Sequence, residues 1–330
     1  MAKLLDVKDY KVYYQTLKGQ IKAVDGVSFF VNTDEVFGVA GESGCGKSTL
    51  GNSLIYLKAP MRYAGGNAVL DGNDISKFTD EKMQKMRFEK ISIIPQFAMD
   101  AMSPTQKIKN IVVDLVREHN KRMSEKEIID LAVERFKMVG LSENVMDMYS
   151  IELSGGMKQR VVMVISTLLN PKILIADEIT SALDVSSQKF SVEMLDEFKD
   201  KQFVSSVIFI THDISVLYQI ADRIMIMYAG HVVEIANTED IVSKPLHPYT
   251  KLLISSLPRM GIQFSQKQLT GIPGYPPNLL NPPTGCRFYD RCPLRIDPQK
   301  CQHEIPPLLE YMPGRYVACW AYTKGNDKNG

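Results

Sequence analysis

The sequence has almost no net charge. Its 39 lysines and arginines balance 38 aspartates and glutamates, leaving a formal +1 over 330 residues. That removes the bulk attraction which draws a chain to nucleic acid or to an acidic membrane surface. Long apolar runs are missing as well. The longest, residues 161–169, is broken by Ser166 and Thr167 and falls short of the ~20 residues that span hydrocarbon. The opening "MAKLLDVKDYKVYY" has no apolar stretch of the signal-peptide kind, so no secretory leader is expected. No internal repeat or low-complexity tract stands out. Cysteine is scarce and uneven. Of five, Cys45 sits in a glycine-rich stretch, and Cys286, Cys292, Cys301 and Cys319 crowd the last 45 residues. In a reducing compartment such crowding points to metal rather than disulfides.

What is present reads as alternating β and α structure. "AVDGVSFFV" and "EVFGVAG" are short apolar runs bounded by turn residues, and Asp71-Gly72 marks a hairpin. Ile108, Ile111, Val112, Leu115 and Val116 follow the helical period, and "SEKE" at 124–127 is a capping box. "KILIADE" (172–178) and "SSVIFITH" (205–212) are buried parallel strands, and "RIMIMYAGHVVEIA" is a hairpin turning at Ala229-Gly230. Beyond residue 258 the texture changes. Thirteen of the 17 prolines lie between Pro245 and Pro313, beside the four cysteines. A segment so short and irregular has little core of its own.

"GESGCGKST" (41–49) fits G-x-x-x-x-G-K-[ST]. Its glycines let backbone N–H groups converge on phosphate oxygens, contributed here by Ser43, Gly44, Cys45, Gly46, Lys47, Ser48 and Thr49. Lys47 brings a point charge to the β- and γ-phosphates, and the Ser48 hydroxyl is a Mg²⁺ ligand. A chance glycine loop is the alternative, but a strand precedes the motif and "STLGNSLIYL" reads as a helix after it. Asp177 ends a buried strand, where it can hold Mg²⁺, and the adjacent Glu178 can polarise a water as general base. His212 ends another strand and can hydrogen-bond a γ-phosphate. Gln96, in "IIPQ", can report Mg²⁺ or the attacking water. Alone, each of these carboxylates, the histidine and the glutamine is also an ordinary strand-end residue. "LSGGMKQR" (153–160) is a second helix opening prepared for an anion.

Taken in order, "GESGCGKST", Gln96, "LSGGMKQR", "ILIADE", "SALD" (181–184) and His212 resemble the nucleotide-binding subunits of ATP-binding cassette (ABC) transporters over roughly residues 3–257. "LSGG" is the most specific part. The downstream "HPYTKLLISSLP" and "GCRFYDRC" look like the dipeptide/oligopeptide importer branch. The resemblance implies a P-loop NTPase fold: an α/β, RecA-like core with an N-terminal antiparallel β-subdomain and a helical insert near 97–165. The nucleotide-binding domain would fill 1–257 and a small C-terminal iron–sulfur module 258–330. It implies that Ser154, Gly155, Gly156 and Asp184 act in trans on a nucleotide held by another chain. It also implies that Tyr14, or alternatively Tyr13, stacks on adenine. The partners implied are a paralogous ATPase subunit or a second copy, two transmembrane permease subunits and, indirectly, an extracytoplasmic solute-binding protein, with no nucleic acid. The chain would sit peripherally on the cytoplasmic face of the cell membrane. Two departures stand out: Ile179 replaces the usual proline of "DEPT", and Met157 replaces a common glutamine.

For the tail, the spacing C-x5-C-x8-C-x17-C suits tetrahedral Zn²⁺ or an iron–sulfur cluster equally in ligand type. No C-x2-C knuckle favours zinc, and unligated thiols or two disulfides are the plain alternative. The family resemblance favours a structural [4Fe–4S] cluster. Arg287, Arg291 and Arg295 near the cysteines either offset cluster charge or are solvated. The function expected is an ATP-hydrolysing, energy-coupling subunit importing di- or oligopeptides. The alternatives are the same machinery carrying oligosaccharides or nickel, or a soluble ABC ATPase acting on ribosomes or nucleic acid. The single phosphate loop, the C-terminal cysteines and the absent basic excess count against the last.

Overall fold

Residues 3–32 form a long antiparallel pair, β1 (Lys3–Thr16) and β2 (Gly19–Asn32). Leu5, Val7 and Val12 on β1 and Val24, Val27 and Val31 on β2 are buried while most residues between them reach the surface. That is the period-two pattern of a sheet with one covered face. β4 (Met61–Leu70) pairs with the other edge of β1 and turns into β5 (Asn73–Asp74), giving the order β2-β1-β4-β5. The hairpin read from Asp71-Gly72 is there, with φ of 49° and 79°. A two-residue turn of this hand needs positive φ at both central positions, which Asp and Gly adopt most cheaply.

This is a computed structural model, and it describes residues 2–100, 102–181, 185–256 and 271–323. Its contacts divide the chain into two compact units. The first takes in the described residues of 1–32, 36–77 and 209–330, and the second those of 33–35 and 78–208.

In the first unit β3 (Val36–Ala40) runs parallel to β9 (Arg223–Tyr228), and β9 turns at Ala229-Gly230 into β10 (His231–Asn237). All five residues of β3 and all six of β9 are buried. Continuous apolar runs of this kind belong to strands covered on both faces. Phe37 on β3 stacks on Phe29 of β2 at 5.4 Å between centroids, a contact worth about 1 kcal/mol beyond its area. Three short helices, α1 (Lys47–Ser53), α7 (Ile214–Ile220) and α8 (Thr238–Ser243), and then α9 (Pro248–Ser255) belong to this unit. The helix expected after the glycine loop is shorter than "STLGNSLIYL" suggested. It ends at Ser53, although Tyr56 N–H still reaches Asn52 O at 2.9 Å. Pro60 lies ahead, and the residue before a proline is disfavoured in helix.

The C-terminal segment is built into this unit. α10 (Pro298–His303) is followed by β11 (Leu309–Met312) and β12 (Arg315–Val317), and β12 pairs antiparallel with β10. Phe288 is buried against Tyr228 and Tyr249, 5.2 and 5.4 Å away. A segment with too little apolar surface for its own core thus shares the core of the unit.

The second unit contains α2 (Asp80–Met86), β6 (Ile91–Ile94), α3 (Ile108–His119), α4 (Glu125–Met138), α5 (Gly155–Thr167), β7 (Ile173–Asp177) and α6 (Val185–Asp200). β6 and β7 are parallel, and β8 (Ser206–Ile210) starts beside β7 with Ser206 N–H on Lys172 O at 2.9 Å. The capping box of α4 is complete. Ser124 Oγ accepts from Glu127 N–H at 3.3 Å, and Glu127 accepts from Ser124 N–H at 2.7 Å. On α3, Ile108, Val112, Val113 and Val116 are the buried stripe, close to the one its periodicity predicts.

Candidate functional site

The glycine loop lies in the first unit, between β3 and α1. Gly41 and Gly46 have φ of 151° and 107°, and a Cβ would come within 2.2 Å of Met227 O at Gly41 and 2.1 Å of Ala23 O at Gly46. No other residue type fits either position. Lys47 is buried and folds back over the loop, donating to Gly41 O at 2.8 Å and Glu42 O at 3.1 Å. Cys45 is buried too, and burial pushes its thiol up from the ordinary value. It stays neutral near pH 7 and packs as a small apolar group. Tyr14 reaches the loop through its hydroxyl, 3.0 Å from Thr49 Oγ1. The alternative, Tyr13, is engaged elsewhere and donates to Asp25 Oδ1 at 2.5 Å. His212, two residues beyond β8, is exposed, and Asp213 next to it caps α7 by accepting from Ser215 N–H at 2.8 Å.

Glu42, the second residue of the loop, is held by groups that sequence reasoning did not connect to it. Arg291 makes a two-point ion pair with it at 2.8 and 2.9 Å, and its own N–H donates to Tyr249 Oη at 2.9 Å. The Arg291 side chain is 6% exposed and that of Glu42 24%. Arg287 is paired with Asp25 and with Ala229 O. Burial alone would raise the Asp25 carboxyl; His231, the Tyr13 hydroxyl and the Arg287 guanidinium together hold it well below the ordinary carboxylate range. Removing one partner of such a buried pair strands the other charge, at a cost of ~3–5 kcal/mol. The solvated alternative therefore fails for Arg287 and Arg291. Arg295 alone is exposed, donating to Asp290 O at 2.8 Å. No local signal marks these pairs, because they join positions about 250 residues apart.

The four C-terminal cysteines line one cavity together with His247 and Trp320. All are free thiols, so the disulfide alternative is not realised. Burial pushes the Cys286 thiol up to about 12 and that of Cys319 to about 11, with the neighbouring sulfurs adding to the push. Among the described residues no group of three or more His, Cys, Asp or Glu side chains is arranged to hold a metal ion.

In the second unit Asp177 ends β7 and is buried, with Glu178 half-buried after it. Glu178 has a φ of 49°, a left-handed conformation unusual for a non-glycine and typical of strained functional turns. Without a proline at 179, other bonds hold this turn. Ser181 donates to Glu178 O from its N–H at 3.0 Å and its hydroxyl at 2.7 Å. Gln159 of α5 donates to Ile179 O at 3.2 Å. Gln96, two residues past β6, donates to Glu178 Oε2 at 3.1 Å. Beside them is a pocket lined by Phe97, Met99, Gln159, Val162, Glu178 and Ile179.

Ser154 caps α5, its hydroxyl accepting from Met157 N–H at 3.3 Å. Ser154 and Gly155 are exposed, and a Cβ added at Gly155 would meet nothing within 4 Å. Asp184 lies outside the described residues.

Residues 24–181 match the model of the family described as "ABC transporter", and residues 233–301 that described as "Oligopeptide/dipeptide transporter, C-terminal region". Along its length the chain is 38% identical to the dipeptide transport ATP-binding protein DppD of Caldanaerobacter subterraneus subsp. tengcongensis, over 98% of this chain and 99% of the relative. It is 39% identical to the oligopeptide transport ATP-binding protein OppD of Escherichia coli, over 96% and 93%. Among solved structures it is similar to a dimeric, post-hydrolysis state of the ATP-binding cassette MJ0796 bound to ADP and phosphate. There the TM-score is 0.63 and the identity 26%, covering 71% of this chain and 98% of that one.

Proposed function

Because the chain belongs to the ABC transporter ATP-binding subunits, in their dipeptide and oligopeptide branch, we propose that it is the energy-coupling ATPase of an importer for di- and oligopeptides. The observation that carries this reading is likeness over 98% of the chain to a dipeptide transport ATP-binding protein, through both the cassette and the C-terminal region. Among the described residues no helix is long and apolar enough to cross a membrane. On the family reading the chain sits peripherally, at the cytoplasmic face, held by two transmembrane permease subunits. It pairs there with a paralogous ATPase subunit or with a second copy. The nucleotide-binding domain spans 1–257 and the C-terminal extension 258–330.

The proposed roles follow the chemistry of the side chains. The loop from Ser43 to Thr49 cradles the phosphates, and Lys47 carries positive charge to the β- and γ-oxygens. Tyr14 stacks on the base. Ser48, Gln96 and Asp177 are hard oxygen donors of the kind Mg²⁺ takes, and their chemistry fits it. When bound, the ion neutralises charge developing on the phosphate oxygens. Glu178 accepts the proton of the attacking water, positioned by Gln96, and His212 contacts the γ-phosphate. Ser154, Gly155, Gly156 and Asp184 complete the site of the opposite subunit.

Lys47→Ala tests the reading directly. It is expected to lower ATP affinity at least tenfold and to remove ATP-dependent uptake of a labelled dipeptide by the assembled transporter. Unchanged ATP binding would refute the cradle, and retained hydrolysis with no link to dipeptide uptake would refute the import role.

For the tail, the four thiols line one cavity; ligand type alone suits Zn²⁺ and an iron–sulfur cluster equally, and the resemblance to the four-cysteine members of the importer branch favours the cluster. We therefore read Cys286, Cys292, Cys301 and Cys319 as ligands of a [4Fe–4S] cluster, with Zn²⁺ the alternative. Because burial holds the Cys286 and Cys319 thiols protonated near pH 7, loading them releases protons. Protein purified without oxygen should be brown, absorb near 400 nm, and lose that band in Cys292→Ser while keeping its ATP affinity. A colourless protein with stoichiometric zinc would overturn the cluster.

A further inference from the structure

We propose that Arg291 is a positioning residue for the phosphate loop: by its two-point grip on Glu42 it fixes the loop that receives ATP, and through it the cysteine-bearing segment sets nucleotide affinity. This rests on the reading of the loop as an ATP cradle.

The guanidinium is anchored apart from Glu42. Its Nε donates to Pro273 O at 2.8 Å, its Nη2 to Ile272 O at 3.3 Å and its Nη1 to Tyr228 Oη at 3.1 Å. A planar fork held on every branch has little freedom to follow a moving partner, so Glu42 takes its place from Arg291. Glu42 is tied at three points. Its carboxylate is held by Arg291, its N–H by Tyr249 Oη, and its carbonyl accepts Lys47 Nζ at 3.1 Å. The chain of contacts therefore runs from Arg291 through one residue to the lysine assigned to the phosphates.

Arg291 in turn is fixed by the segment that carries the cysteines. It closes the short turn Tyr289–Arg291, its N–H on Phe288 O at 3.1 Å. Cys292 follows directly, lines the four-cysteine cavity, and donates its N–H to Tyr289 O at 3.2 Å. Any change that shifts Cys292 acts on the neighbouring guanidinium, and so on Glu42. This gives the C-terminal segment a task beyond its own stability.

The test compares Arg291→Ala, Arg291→Lys, Glu42→Gln and the Arg291→Ala/Glu42→Gln pair in the full chain. It measures ATP binding at equilibrium and KM and kcat in the hydrolytically active assembly. Each single loss should raise the Kd and KM for ATP about tenfold, as expected for one charge-assisted contact, with kcat at saturating ATP within twofold of wild type. Arg291→Lys should recover part of the loss. The pair should lose no more than Arg291→Ala alone, because Glu42→Gln removes only the charge of a contact that Arg291→Ala already deletes. A lowered thermal midpoint with unchanged KM would mean a merely structural role and would overturn the proposal. So would additive losses in the pair. Should Arg291→Ala fail to fold, Glu42→Gln leaves the cysteine segment intact, and an unchanged Kd there overturns it. Lys47→Ala separates the two levels. If it binds ATP normally, the cradle itself is wrong; if it loses ATP while Arg291→Ala does not, only the grip is wrong.

Discussion

Glu178→Gln should stop turnover while leaving ATP bound. A general base contributes roughly 10²–10⁴ in rate, and the amide, nearly the same shape, takes no proton at neutral pH. The backbone should tolerate the change, since Gln is no worse than Glu at a φ of 49°, and Ser181 and Gln159 hold the turn through backbone carbonyls. The hydrogen bond from Gln96 to Oε2 can be kept by the carboxamide oxygen. What is removed is proton acceptance alone. If ATP closes two ATPase subunits and hydrolysis reopens them, the variant should accumulate as an ATP-loaded dimer. A ligand shifts such an equilibrium only through its higher affinity for the closed form, and here the step that discharges the ligand is blocked. Size-exclusion chromatography with Mg²⁺ and ATP should show the dimer with uncleaved nucleotide. Turnover within tenfold of wild type would remove Glu178 from the role of base. Slow turnover without a trapped dimer would leave the base and remove the closure cycle.

The parts of the fold legible in sequence were those specified by neighbours along the chain. β3, β7 and β8 each bury all five residues, so uninterrupted apolar runs announced them. The turns at Asp71-Gly72 and Ala229-Gly230 carry their own backbone requirement, and the α4 capping box is a pattern four residues long. The phosphate-loop motif was legible in the same way: Gly41 and Gly46 are forced by contacts that no side chain tolerates. Pairs joined only by folding were not legible. Arg291 was read as solvated or as shielding the cysteines, because nothing near it in sequence names Glu42 as its partner. The sequence resemblance points to Tyr14 for adenine with Tyr13 the alternative, and nothing local to the strand shows that the Tyr13 hydroxyl goes to Asp25. The cysteine spacing showed four thiols but not that they line one cavity, since that is set by how α10 and the segments around it pack. The helix after the loop was overextended because its apolar pattern continues past the point where the chain turns toward Pro60.

Ser154→Arg should leave ATP binding by a single chain within twofold of wild type and abolish hydrolysis, with a loss of at least a hundredfold. Ser154, Gly155 and Gly156 open α5 in the second unit, whereas the phosphate loop lies in the first. Inside the chain these glycines are not required. A Cβ at Gly155 meets nothing within 4 Å, and one at Gly156 only Arg160 Nη2 at 4.0 Å. Neither has the positive φ that would demand glycine. A glycine pair without an internal reason, at an exposed helix opening whose N–H groups and dipole favour an anion, is suited to close approach by another molecule. On the proposed pairing that molecule is the nucleotide of the opposite subunit. Arginine there loses the helix cap, at a cost of about 1 kcal/mol, which the domain tolerates, and its bulk keeps the partner's triphosphate away. Gly155→Ala is the milder companion. It has open space at home and costs the isolated chain nothing, so a fall in hydrolysis with unchanged stability would come from the partner's side. Equal loss of binding and hydrolysis in Ser154→Arg, or full hydrolysis in both variants, would break the in-trans assignment.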